Sequence, residues 1–391
     1  MRILFTTTPT FSHTTPMVPL AQAARLAGHQ VLFAGSGVTL KTAAGAGLPV
    51  LDAGGGHDLQ EIHRSFVSNP ANHMLPSDEA VKAFVGMMSQ IGQLMLPSLV
   101  QTAREWGADI VVTPAWLPWG MLAARASGAL SVLHGIGLRY PAVPWMAMQP
   151  PEFVRQLGVT EFPDHCDAEV ALSPASLEAF SPTAPGDVPF PVLNMRPCTY
   201  NGSGQLEPWL LRKPDGDRPR IAITMGTATA VHSWPTVLKA VVEGTADLDA
   251  EVVLLPGGVD VASIIGPLPG HVKVLDFVPL SAVLPRCDAL VHHSGMNSMF
   301  SALAAGVPQI PLPVAAGDAP VNAMVAGRRG TSVSVDRTAV TPEAIGKALR
   351  EVLQTSSYRT ASEEVAAEMA AMPSPYEVVG QLVELAGART R

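Results

Sequence analysis

The stretch from Asp288 to Pro313, DALVHHSGMNSMFSALAAGVPQIPLP, constrains the fold more than any other part of the chain. Ala289 to His292 is an apolar run of strand length, His293 to Asn297 a tight polar turn, and Ser298 to Ala305 the opening of a small-residue helix closed by Gly306. Gln309 to Leu312 supplies the next strand. The rest of the chain repeats this grammar of apolar strand, loop and Ala-rich helix. In the first half the expected strands are Ile3 to Thr7, Gln30 to Ala34 and Ile110 to Thr113, with helices near Val18 to Ala27 and Leu94 to Trp106. In the second half Ile221 to Met225, Glu251 to Leu255 and Val272 to Leu275 are strands. Strands alternating with helices make doubly wound parallel sheets, so the expected class is α/β.

At 391 residues the chain is too long for one ordinary core. Residues 198–218, rich in Gly, Pro and charge, read as a linker between domains at 1–197 and 219–372. Residues 373–391 follow Pro373-Ser374-Pro375, which redirects the chain, and are expected to form a final helix that packs back on the first domain.

At the turn after Ala289 to His292, a helix N-terminus leaves backbone N–H groups unpaired and attracts phosphate by roughly 0.3–1 kcal/mol when exposed, more when dry. Gly295 lets the backbone approach a ligand, and His293, Asn297 and Ser298 add side-chain donors. A capped helix beside two structural histidines is the plainer reading of the HH pair. The meeting of His, Gly, Asn and Ser at a strand-to-helix turn favours the anion site.

Charged residues make up only 15% of the chain and hydrophobic ones 47%, as buried parallel sheets require. A net charge of −8, with no basic stripe or polybasic tail, argues against nucleic acid or a membrane surface as partner. Cys166, Cys198 and Cys287 lie far apart and form no CxxC, which disfavours a disulfide scaffold or zinc module and fits a reducing cytoplasm. The start, MRILFTTTP, reads as a first strand and not a signal peptide. Apolar stretches elsewhere meet Pro, Gly or charge before reaching membrane-spanning length, so a soluble cytoplasmic protein is expected.

His13 lies in the loop TTTPTFSHTTP that leaves the first strand, where open α/β sheets bind ligands, and is well placed as a general base. No GxGxxG follows that strand, which disfavours a nicotinamide or flavin site. The pairs Asp215/Asp217 and Asp247/Asp249 precede strands, at the wrong edge for ligands, and read as solvated turns. His57 and His63 are six residues apart and do not share a helix face, so no metal site is expected. Asp318 follows the strand Gln309 to Leu312; its carboxylate can accept hydrogen bonds from ligand hydroxyls, with Asn322 one helical turn on, or cap the helix. Gly226 and Thr227 close the first strand of the second half, where a backbone N–H and a hydroxyl can reach a phosphate. Residues 54–90 and 139–166 fit the repeat poorly and concentrate Met74, Met87, Met88, Trp145, Met146 and Met148; with Trp116 and Trp119 nearby, these side chains either line an apolar ligand pocket or form core.

Together these segments resemble a family 1 glycosyltransferase of GT-B fold, in the branch that decorates bacterial natural products with activated deoxysugars. The resemblance runs through FTTTPTFSHTTPMVPLAQAARLAGHQV, YNGSGQLEPWL, ITMGT, VLDFVPLSAVLPRCDALVHHSGMNS, GVPQIPLPVAAGDAPVNA and PSPYEVV, nearly the whole length. It implies two facing Rossmann-like domains with a cleft between them, the acceptor on the first and the nucleotide sugar on the second. His13 becomes the base that deprotonates the acceptor, and His293 a diphosphate contact with Ser294, Gly295, Asn297 and Ser298 beside it. Phe277 and Val278 would hold the nucleotide base, Asp318 the sugar hydroxyls, and Gly226 and Thr227 the phosphates. No cofactor and no metal are implied; the donor is expected to be a dTDP-deoxysugar and the acceptor a hydrophobic aglycone such as a polyketide. Oligomeric state is open, a homodimer being one option.

Three positions depart from that pattern. The acid expected just after Ile110 to Thr113 is absent from PAWLPWG, Pro114 to Gly120, so His13 acts alone or with another partner. Ala319 stands where a glutamine often follows the sugar-binding aspartate, and Ser294 where HHGG has glycine. An auxiliary partner that has lost its chemistry and a nucleotide-sugar epimerase of the same architecture are the competing readings.

Overall fold

The computed structural model describes residues 1–69, 77–115, 117–140, 151–226, 235–258, 260–313 and 317–389. They form two compact units, one of Met1–Ser173, Thr183–Tyr200 and Ala371–Arg391, the other of Pro174–Pro182 and Asn201–Ala370.

The first unit carries β1 (Arg2–Thr6), β2 (Gln30–Gly35), β3 (Val50–Asp52), β4 (Ile110–Pro114), β5 (Leu130–His134), β6 (Ala168–Ala171) and β7 (Val192–Asn194). All pairings are parallel, in the order β3-β2-β1-β4-β5-β6-β7. Ile3, Leu4, Phe5, Ile110, Val111 and Val112 are all buried, because a central parallel strand is covered on both faces. Four of the seven strands, β3, β5, β6 and β7, are not foreseen from the sequence. They are short, and Ser131, His134 and Glu169 interrupt their apolar runs. Glu169 is buried in β6 because Arg139 grips it with two hydrogen bonds, 2.8 Å from Nε and 2.7 Å from Nη2.

The helix expected from Leu94 begins at Ser77 and runs to Trp106, with Gly86, Gly92 and Pro97 inside it. This corrects the expectation that glycine and proline interrupt every long apolar stretch: Lys82–Trp106 is long and apolar enough to cross a membrane by length and composition, with mean hydropathy 1.3. Its apolar side chains have another use. Met87, Met88, Ile91, Met95, Leu96, Leu99 and Val100 pack on Leu4, Val111, Trp119 and Leu122 in the core of the unit. Gly92 leaves the space that the Trp119 indole fills.

The second unit carries β8 (Arg220–Thr224), β9 (Glu251–Leu255), β10 (Val272–Val274), β11 (Ala289–His292) and β12 (Gln309–Pro311), parallel in the order β10-β9-β8-β11-β12. Side chains alternate across this sheet. Ile221, Ile223, Val252, Leu254 and Val291 pack with Val241, Ile345 and Leu349 on one face, while Ala222, Val253, Leu255 and Leu290 pack with Val283, Leu284 and Ala302 on the other. Each such Val, Leu or Ile contributes about 1.5–3 kcal/mol by leaving water.

Part of the expected linker is fastened to this unit. The buried Arg220 guanidinium donates to Glu251 at 2.6 Å and to the carbonyls of Leu210 and Arg212 at 3.1 and 2.8 Å. Asn201 donates to Ser301 Oγ at 3.1 Å and accepts from the Ser281 N–H at 2.9 Å. The last helix, Pro375–Arg389, belongs to the first unit and packs on the helix Val18–Leu26, with Val378, Val379 and Leu382 buried and Arg389 donating to Asp167 at 2.8 Å.

In each sheet the strand order reverses once, between β1 and β4 and between β8 and β11. Loops leaving the carboxyl ends of such a pair diverge and open a crevice, the usual ligand site of this architecture. In the first unit that point is occupied by the loop from Thr7 to His13. In the second it is occupied by Met225-Gly226 and His293 to Gly295.

Candidate active site

In the second unit the two adjacent histidines have different tasks. His292 ends β11 and is 1% exposed, and its Nδ1 accepts the Ser294 N–H at 3.2 Å. That bond folds the turn and puts the His292 proton on Nε2. His293 is half-buried and occupies a slot between two glycines. A Cβ at Gly226, which has φ +73°, would lie 2.5 Å from His293 Cε1, and a Cβ at Gly295 would overlap the same ring. Both glycines are there to admit the imidazole. Burial pushes the His293 pKa down to about 4, and burial followed by the charge of His293 pushes that of His292 down to about 3. At neutral pH both rings are therefore uncharged, and His293 offers one N–H and not a cation.

Gly295 is also the N-cap of the helix Met296–Ala304, and no side chain caps that helix end. The positive end of its dipole therefore lies beside the turn. Ser298 is buried in the first turn, and the Asn297 carbonyl accepts Ser301 Oγ at 2.6 Å. Gly226 N–H donates to Thr224 Oγ1 at 3.2 Å. Thr227 lies outside the described residues.

Ser294 is the only non-glycine among the described residues with a left-handed backbone, at φ +68°. Such a conformation costs an L-residue about 1–2 kcal/mol. The extra crowding expected from serine here takes this form, and the side chain is used: Ser294 Oγ donates to the Ala319 carbonyl at 2.8 Å. Asp318 stands at the N-cap of the helix Ala319–Arg328 without making a capping bond. Its Oδ2 instead accepts from Asn322 Nδ2 at 3.0 Å, and the same amide donates to the Ser294 carbonyl at 2.9 Å. Burial raises the Asp318 pKa and the Asn322 bond partly offsets the rise.

Phe277 is 41% exposed, whereas Val278 is buried in the second unit's core. The chain at Gly204 lies against this pair: a Cβ there would come within 2.5 Å of the Phe277 carbonyl oxygen. An exposed aromatic ring suits a nucleotide base.

In the first unit His13 lies in the short helix Phe11–Thr14, with Nδ1 2.9 Å from Thr8 Oγ1. Thr8 is buried, and its carbonyl accepts Thr39 Oγ1 at 2.9 Å. Thr14 Oγ1 donates to the Thr10 carbonyl at 2.8 Å, so a threonine cluster anchors the loop. Burial, and then the nearby His63 of the helix Leu59–Ser68, push the His13 pKa down to about 3. The partner left open by the missing acid is thus a neutral hydroxyl. Sequence spacing gave no sign of Thr8 or of His63 in this role, because the two join His13 through a turn and through an inserted helix.

The apolar residues expected near an acceptor divide in two. Met87, Met88 and Trp119 are 6, 1 and 1% exposed inside the first unit's core, Trp119 lying edge-on to Phe162 at 5.6 Å, so for these the core alternative holds. Met74, Trp116, Trp145, Met146 and Met148 lie outside the described residues. Among the described residues no group of three or more His, Cys, Asp or Glu side chains is arranged to hold a metal ion.

Two parallel α/β sheets with ligand-type loops at their carboxyl edges, one loop presenting an imidazole at a helix N-terminus and the other a half-buried histidine, fit the GT-B fold of glycosyltransferases. Comparison with known proteins agrees. Residues 22–226 match the family model "Erythromycin biosynthesis protein CIII-like, N-terminal domain" and residues 239–385 its C-terminal counterpart. The elloramycin glycosyltransferase ElmGT of Streptomyces olivaceus is 31% identical, the match covering 98% of this chain and 97% of that one. The crystal structure of the glycosyltransferase SnogD from Streptomyces nogalater superposes with a TM-score of 0.79 at 31% identity over 99% of both chains. The structure of the glycosyltransferase VinC in complex with dTDP gives 0.77 at 27% identity, over 99% of this chain and 100% of that one. The chain belongs to the erythromycin biosynthesis protein CIII-like family of natural-product deoxysugar glycosyltransferases.

Proposed function

We propose that this enzyme moves a deoxysugar from a dTDP-linked donor to a hydroxyl of a hydrophobic aglycone such as a polyketide, with inversion at the anomeric carbon and without a metal. The observation that carries the reading is the His293 slot: an imidazole held between Gly226 and Gly295 at an uncapped helix N-terminus offers donors to a leaving diphosphate. Asn297, Ser298 and Thr227 would add to it, Phe277 and Val278 would take the thymine, and Asp318 would accept the sugar hydroxyls. The dTDP bound to VinC supports the choice of nucleotide.

His13 is assigned as the general base. The base needs the tautomer in which Nδ1–H donates to Thr8 Oγ1, 2.9 Å away, so that Nε2 keeps its lone pair for the acceptor proton. Burial keeps the His13 imidazole neutral at physiological pH, the form that can accept a proton. Attack by the deprotonated oxygen forms the new glycosidic bond as the bond from sugar to diphosphate breaks. The three cysteines are free and suit a reducing cytoplasm.

The test is turnover of wild type, His13→Ala and Thr8→Val on a panel of aglycones with dTDP-deoxysugars, read by mass spectrometry. Loss of about 10²–10⁴ in rate is expected for His13→Ala. Thr8→Val keeps the base but frees its ring, and should lower kcat with little change in acceptor KM, with Thr8→Ser restoring it. Full turnover by His13→Ala would remove the base assignment, and activity lost in chelator and restored by magnesium would remove the metal-free one. Absence of dTDP binding in calorimetry would point instead to an auxiliary protein.

A further inference from the structure

Ser294 combines three properties that are seldom found together. It is 1% exposed, it is strained at φ +68°, and each of its polar atoms has a partner. Its N–H goes to His292 Nδ1, its Oγ to the Ala319 carbonyl, and its own carbonyl receives Asn322 Nδ2. Glycine at this position would carry no strain and would also lose the bond to Ala319. The strain is kept together with a hydroxyl that reaches 25 residues along the chain.

What that hydroxyl holds is the start of the helix Ala319–Arg328, directly after Asp318. Asn322 closes the same link from its other side. Its two amide protons go to the Ser294 carbonyl and to Asp318 Oδ2, and since both partners are acceptors the orientation of this buried amide is fixed by chemistry. The turn after β11 and the loop after β12 are thereby joined by two bridges. One end of the joined unit carries His293 and the helix N-terminus; the other carries the desolvated Asp318 carboxylate.

We propose that Ser294 is a positioning residue that sets the place of Asp318 relative to the His293 turn, and so decides which nucleotide-linked sugars the enzyme accepts. The inference rests on the reading of that turn as the diphosphate site and of Asp318 as the acceptor of sugar hydroxyls. A nucleotide sugar must satisfy both ends at once, whereas a nucleoside diphosphate uses only one. The span between the ends is rigid while Ser294 and Asn322 join them. Ala319, the residue that Ser294 grips, takes part through its main chain only, so the geometry survives the loss of a polar side chain there.

The experiment is calorimetry of wild type, Ser294→Gly and Ser294→Ala with three probes, dTDP, dTDP-glucose and dTDP-rhamnose. Glycine relieves the strain and removes the hydroxyl; alanine removes the hydroxyl alone. Expected for both variants is a loss of affinity for the better-bound sugar nucleotide about tenfold larger than any loss for dTDP, with the difference between the two sugars shrinking. If dTDP weakens as much as the sugar nucleotides, Ser294 only keeps the turn folded and the proposal fails. It fails equally if the ratio of sugar-nucleotide to dTDP affinity stays as in wild type. If wild type binds no dTDP at all, the reading of the diphosphate site itself has failed.

Discussion

Replacing Gly226 with alanine tests whether the His293 imidazole must lie where the two glycines place it. The added Cβ would fall 2.5 Å from Cε1 and 2.8 Å from Nε2, against about 3.5 Å or more for an ordinary carbon contact, so the ring must retreat by about 1 Å. A ring displaced by that much no longer donates to a bound diphosphate. A hydrogen bond to a charged group contributes about 1.5–3 kcal/mol, so dTDP affinity should fall roughly ten- to a hundredfold. Alanine at φ +73° also strains the backbone by about 1–2 kcal/mol, and that part must be separated. Gly128 provides the control: it has φ +76° with nothing within 4 Å of its Cβ position. Gly128→Ala therefore carries the backbone cost alone. Calorimetric titration of dTDP into wild type, Gly226→Ala, Gly128→Ala and His293→Ala decides the matter. Equal dTDP affinity in Gly226→Ala and Gly128→Ala would refute the reasoning, since the slot would then have no bearing on the ligand.

Two further outcomes concern stability. Gly92→Ala should destabilise the protein by about 1–3 kcal/mol in urea titrations, although alanine is the better helix former, because its Cβ would overlap the Trp119 indole; a gain in stability would contradict the packing. His134 and His292 are buried and neutral, with pKa values pushed down by burial to about 4 and about 3. The unfolded chain takes up these protons near pH 6.5 and the native one does not, so stability falls as pH drops below 6.5 and continues to fall toward 4. Each histidine contributes up to about 1.4 kcal/mol per pH unit in that window. Urea midpoints at pH 7, 6 and 5 measure it, and His134→Asn should flatten the dependence.

Much of this protein could be read from local patterns. The central strands β1, β4, β8, β9 and β11 announce themselves by apolar runs of three or four residues, because a strand covered on both faces buries successive side chains on both. The edge strands β10 and β12 of the second sheet are legible too, whereas β3 and β7 at the edges of the first sheet and β5 and β6 inside it are not, since a three-residue run such as Val50-Leu51-Asp52 looks like any other loop and polar residues break β5 and β6. The helix Ser77–Trp106 was legible only in its second half: glycine and proline count as breakers locally, and here Gly92 is retained to seat Trp119.

The candidate site shows the same division more sharply. Composition and spacing marked His13, the HHSGMNS turn and Asp318, because strand ends followed by helix starts are written in adjacent residues. The choice of His293 over His292 as ligand donor follows from the strand-to-turn boundary, but the bond by which His292 folds the turn was not legible, nor was the hydroxyl partner of His13. Nor were the bonds from Ser294 to Ala319 and from Asn322 to Ser294, which span 25 and 28 residues, whereas Asn322 beside Asp318, four residues away, was expected. Periodicity records what a residue does for its own element. Hydrogen bonds between loops depend on where two strands place their carboxyl ends in a sheet, and that is settled by packing over the whole unit.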